Sequence, residues 1–280
     1  MTHSFKALIL GLLILPFVAS SGLAEQPIQG SSLAAISFVS ERTALVPGET
    51  NWIALTFLIE RDWHLYWKNA GDTGQPPSQK WNVPDGVTVG EPLWPVPHRH
   101  VSPGTLLDYI FENELVLLFP IMLDESFKHG DSVTLAVESD FLICDDICLF
   151  GDGKAQITLP VAGKAADAGH AAIFLRTRTQ IPRPEEMADE LHISTGWENG
   201  SLRLTVPGAR GLEFFPHRGE GIANARELIE SGETAGSTLR IPFELGEDAT
   251  EAAGVLTITM QRQTIHQEIR VPVPGSETHD

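Results

Sequence analysis

Cys144 and Cys148 are the only cysteines in 280 residues, and three residues separate them in the run Phe141-Leu-Ile-Cys-Asp-Asp-Ile-Cys-Leu-Phe150. Two thiols this close can exchange with a partner disulfide, staple the chain or share a soft metal. As a staple the pair is weak, because closing so short a loop removes only roughly 2 kcal/mol of unfolded-chain entropy, against ~4.7 for a hundred-residue loop. For exchange the spacing is favourable. One thiolate attacks a partner disulfide, and the other resolves the mixed disulfide intramolecularly. Asp145 and Asp146 between the thiols disfavour a thiolate and so raise its pKa, which leans the dithiol toward giving electrons away; the other reading of the two Asp is a solvated turn.

Metal binding would recruit His64, His98 or His100 to the two sulfurs, as a tight Cu(I) or Zn(II) site wants three or four ligands. The spacing is one residue longer than the usual C-x2-C arm, and there is no second cysteine pair. Hydrolytic and nucleotide motifs are missing: no G-x-S-x-G, H-E-x-x-H, Walker A or G-x-G-x-x-G occurs. Exchange, a structural disulfide and a copper-binding module therefore remain as readings of the pair.

The elements that must position it read as strands. Short apolar or alternating segments recur at Ala35–Val39, Asn51–Ile59, Glu114–Met122, Ser132–Glu138 and Ala155–Val161, separated by clusters such as Val46-Pro-Gly48 and Val83-Pro-Asp-Gly86. That pattern predicts an all-β sandwich. Residues 163–182 interrupt it with an Ala-rich stretch ending at Ile181-Pro182, read as a short helical linker. Strand-like runs resume beyond, so 183–280 is expected to be a second, smaller β-sandwich. Cysteine hairpins need the two Cα atoms within about 7 Å, which either a strand crossing or one helical turn supplies.

Five of six Trp and both Tyr fall between residues 52 and 109. Trp63, Tyr66, Trp67 and Tyr109 are sandwich core on one reading and a shield for the disulfide on the other. The N-terminus carries Lys6, twelve apolar residues from Ala7 to Val18, and small residues up to Ala24. This is the pattern of a signal peptide at 1–24, too short to span a bilayer. Its removal takes the net charge from −18 to −19 by the loss of one lysine. Charge of that sign argues against nucleic acid as a partner. Export places the cysteines in an oxidising compartment.

Taken together, W-H-x-Y-W-x-N-x-G-D-x-G from Trp63, W-P-x-P from Trp94 and F-L-I-C-x-x-x-C from Phe141 resemble the N-terminal (alpha) periplasmic domain of the DsbD family of thiol:disulfide interchange proteins, in its ScsB-like, copper-sensitivity-suppressor form. The resemblance implies two immunoglobulin-like sandwiches, with a redox domain over residues 25–162. It implies that Cys144 and Cys148 are the redox pair, that no cofactor beyond that disulfide is used, and that the protein works in the periplasm. It further implies a thioredoxin-fold oxidoreductase as acceptor and a membrane electron donor of the DsbD/CcdA type supplied by another chain, since no multi-helix segment or C-x-x-C domain accompanies the motifs.

Overall fold

The computed structural model describes residues 29–225, 233–246 and 248–275. The expected signal peptide at 1–24 lies outside them. Among the described residues no helix is long and apolar enough to cross a membrane.

Ten strands build the N-terminal half: β1 (Ala34–Ser40), β2 (Asn51–Ile59), β3 (His64–Gly71), β4 (Lys80–Asn82), β5 (Val87–Val89), β6 (His98–Ser102), β7 (Leu106–Glu112), β8 (Glu114–Leu123), β9 (Ser132–Cys144) and β10 (Cys148–Pro160). They pair antiparallel into two sheets, one ordered β1-β2-β8-β5 and the other β10-β9-β3-β7-β6, with β4 also paired to β9. The period-2 alternation of β9 shows how the core is made. Val133, Leu135, Val137, Ser139, Phe141 and Ile143 all point inward and are at most 3% exposed, while the alternate residues take the outward face.

The helix α1 (Ala171–Gln180) does more than connect. Its Phe174 is fully buried against Ala54, Val116 and Leu118, on the outer face of the sheet that holds β2 and β8. That cover explains why β2 and β8 are apolar on nearly every residue rather than on every second one. The chain leaves the helix at Ile181, where Pro182 cannot continue it.

Eight further strands follow: β11 (Ser194–Glu198), β12 (Ser201–Thr205), β13 (Gly211–Pro216), β14 (Asn224–Ala225), β15 (Glu233–Ala235), β16 (Thr238–Glu244), β17 (Glu251–Thr259) and β18 (Thr264–Pro272). They form a second sandwich, with β11-β12-β16-β14 plus β15 in one sheet and β13-β17-β18 in the other. The protein is thus all-β, two immunoglobulin-like sandwiches.

The two sandwiches touch through the end of β3. Trp67, Tyr109 and Phe215 stand edge to face with ring centres 5.7–6.3 Å apart. Asn69 donates to the Pro216 carbonyl at 2.8 Å, and Arg218 donates to the Gly71 carbonyl at 2.6 Å. His217 and Glu268 pair at 2.7 Å beside Lys68.

Candidate functional site

The cysteines close the tip of the longest hairpin. β9 and β10 stay in register from Pro160 opposite Ser132 to Cys148 opposite Cys144. The connecting turn, Asp145-Asp146-Ile147, is closed by the Asp145 N–H donating to the Ile147 carbonyl at 3.0 Å. Cys144 and Cys148 are joined by a disulfide of 2.08 Å, with Cα atoms 4.1 Å apart. Of the two geometries open from sequence, the strand crossing is the one adopted.

Alternation decides what surrounds the sulfurs. Cys144 has the parity of Leu142, so it faces outward, away from the sandwich core. β3 runs alongside, with His64 paired to Cys144, and alternation places Tyr66 on the same face. Tyr66, Ile110 and Cys144 form a small apolar cluster with Leu142 and Ala70 packed against it. Cys144 is 1% exposed, whereas Cys148 is exposed. The Tyr66 hydroxyl is 3.9 Å from Cys148 Sγ and 3.3 Å from His64 Nε2. The His64 and His100 rings are centred 5.2 Å apart.

The loop after β3 fixes Tyr66. Gly74 has φ +73, and a Cβ there would lie 2.1 Å from the Tyr66 ring, so only glycine lets the backbone lie on that ring. Buried Asp108 holds the loop by accepting from Thr73 N–H at 2.8 Å and Thr73 Oγ1 at 2.6 Å. Asp72 in turn accepts from Leu107 N–H at 2.8 Å. Burial lowers the His64 pKa, the neighbouring His100 lowers it further, and Asp108, Glu112 and Asp145 pull the other way. The Tyr66 hydroxyl is raised, mainly by burial, while its bond with Thr73 works against the rise.

Of the four aromatics expected as a shield, Tyr66 alone lies at the disulfide. Trp67 and Tyr109 have the opposite parity or lie farther along the sheet, and they pack on Phe215 at the junction of the sandwiches. Trp63 packs against the main core. The three thus take the sandwich-core reading that the sequence also offered, with alternation turning Trp67 and Tyr109 from the sulfurs. Asp145 and Asp146 are exposed on the turn. His98 and His100 lie on β6, His100 near His64, and both sulfurs are engaged with each other. Among the described residues no three of His, Cys, Asp and Glu are grouped to hold a metal ion.

Asp108 and Thr73 were not singled out from sequence as parts of the site, and His64 and Gly74 were named only as a metal-ligand candidate and a motif glycine, not as neighbours of Tyr66. His64 carried a signal in its spacing, since a residue two before Tyr66 on a strand shares its face. Asp108 carried none, because only the fold brings it to Thr73.

Residues 36–160 match the family model of the thiol:disulfide interchange protein DsbD, N-terminal. Among solved structures, the N-terminal periplasmic domain of ScsB from Proteus mirabilis is similar with a TM-score of 0.50 and 17% identity, over 85% of this chain and 91% of that one. The reduced N-terminal domain of Neisseria meningitidis DsbD aligns over 46% of this chain and 89% of its own, at 13% identity and a TM-score of 0.28. No curated protein sequence matches the chain.

Proposed function

We propose that this chain, whose residues 36–160 match the DsbD N-terminal family model, passes electrons through Cys144 and Cys148 to oxidised partner proteins in the periplasm. The observation that carries this reading is the inequality of the two sulfurs, one exposed at a hairpin tip and the other buried beneath it. A staple needs no such difference. An exchange pair does, because one sulfur must meet the partner and the other must be kept from it.

In the reduced protein the Cys148 thiolate attacks one sulfur of a partner disulfide. A Cys148–partner bond forms, the partner S–S bond breaks, and its second sulfur leaves as a thiolate that takes a proton. The Cys144 thiolate then attacks Cys148 Sγ, closing the intramolecular disulfide and expelling the partner's first sulfur. Two electrons pass to the partner, and the two thiol protons lost here balance the two gained there. A thioredoxin-fold oxidoreductase suits the acceptor, and a membrane donor on another chain suits the return of electrons to the oxidised pair.

The reading is tested with Cys144→Ala, exported in cells. This variant is expected to accumulate a covalent complex with a thioredoxin-fold partner through Cys148, and Cys148→Ala to accumulate little. If Cys144→Ala captures none while an interchange protein trapped in parallel does, the reading is wrong.

A further inference from the structure

We propose that the Tyr66 hydroxyl, backed by the His64 imidazole, carries the proton to and from the Cys148 sulfur during exchange. This rests on the interchange reading and names groups that serve it.

Exchange through Cys148 needs a proton moved twice. The thiol must lose one before it attacks, and the sulfur must regain one when the disulfide is reduced. Tyr66 Oη is 3.9 Å from Cys148 Sγ and also within reach of His64 Nε2, so the three atoms form a chain. With Tyr66 O–H donating to His64 Nε2, an oxygen lone pair is free to accept the Cys148 S–H. The S–H bond breaks, a new O–H forms, and the original phenol proton passes to His64 Nε2 to give an imidazolium. The reverse sequence protonates the sulfur when it leaves as a thiolate.

Each group fits its part. A phenol whose pKa is pushed above the ordinary value passes a proton without storing it. An imidazole held neutral by burial is a ready acceptor near neutral pH. The groups facing His64 are Tyr66 from its own strand, His100 from β6, Asp108 and Glu112 from β7, and Asp145 from the turn. His100 and burial keep the imidazole neutral at rest, and the three carboxylates stabilise the imidazolium once formed. Gly74 and the Asp108–Thr73 bonds hold the Tyr66 ring where its hydroxyl meets the sulfur.

The test uses the full chain, reduced, reacting with glutathione disulfide across pH, for wild type, Tyr66→Phe and His64→Gln. Wild type is expected to lose rate as pH falls through the His64 pKa, below about 6.5, because the imidazolium cannot accept a proton. Tyr66→Phe keeps the ring packing and loses the hydroxyl. Both variants are expected to react about tenfold more slowly near neutral pH and to lose that acid limb, leaving only the thiol titration. A purely structural role for either residue would leave the limb in place. If either variant keeps the wild-type profile, or wild type shows no such limb, the proposal is overturned. Failure of the interchange reading shows differently, as normal reaction with glutathione disulfide but none with any thioredoxin-fold partner.

Discussion

Cys144 and Cys148 share one rung of the β9–β10 ladder, with Cα atoms 4.1 Å apart, yet only Cys148 meets solvent. The hairpin is already held by its backbone register down to Ser132, so the disulfide adds little that the strands do not supply. Its loop is five residues long counting both cysteines, worth roughly 2 kcal/mol of chain entropy. The Cys144→Ala/Cys148→Ser double variant is therefore expected to stay folded and to lose about that much, plus a small packing loss at buried residue 144. Urea unfolding followed by tryptophan fluorescence checks it. A variant that is unfolded at room temperature would instead make the pair a staple.

Next to the disulfide the surface is apolar. Phe150 pairs with Leu142 on the outward face, one step along that face from the cysteine rung, and is 82% exposed; Ile147 in the turn is 60% exposed. Ile147 and Phe150 thus bracket the sulfur that a partner must reach. Phe150→Ser is expected to slow reduction of a thioredoxin-fold partner about tenfold, ~1.4 kcal/mol, while leaving the rate with glutathione disulfide unchanged. Equal rates with the protein partner would remove Phe150 from the docking surface.

Gly74 offers a test of how tightly Tyr66 is held. Alanine there must adopt a left-handed conformation, costing roughly 1–2 kcal/mol, and its Cβ must also displace the Tyr66 ring. Gly104 is the control, since it too has positive φ but open space around a would-be Cβ. Gly74→Ala is expected to lose more than about 2 kcal/mol in denaturant melts and Gly104→Ala only about 1. Equal losses would show that the ring yields freely.

Strand alternation made much of this legible from sequence, and where reasoning stopped short the reasons are physical. The aromatics around Trp63 read as one group, but Tyr66 and Trp67 are adjacent on a strand and must face opposite ways. Trp67 found its partner in Phe215, nearly 150 residues later, which no local pattern records. The helix was legible as a helix; what it covers was not, because only Phe174 and Thr177 of its ten residues are buried. The cysteine pair was legible as two sulfurs close enough to join, but which sulfur is exposed depends on β3 lying beside Cys144, a tertiary pairing.

The junction between the sandwiches carries its own pH signature. Tyr109 is 3% exposed among Trp67, Phe215 and Arg99. Its hydroxyl is pushed up to about 12, chiefly by burial, with Arg99 and Arg218 opposing the rise. A folded pKa above the unfolded value of about 10 means that the unfolded chain releases its proton first. The stability due to this group is therefore complete below about pH 10 and lost as pH rises toward about 12, a loss approaching roughly 3 kcal/mol. The chain has two tyrosines, so Tyr66→Phe leaves Tyr109 as the only phenol. Ultraviolet titration of that variant is expected to show no phenolate near pH 10, and ionisation together with loss of circular dichroism closer to pH 12. Tyr109→Phe is expected to flatten the alkaline fall in stability over the same window. Ionisation near the ordinary tyrosine pKa with the fold intact would show that solvent reaches the hydroxyl, and hence that the sandwiches part at this junction.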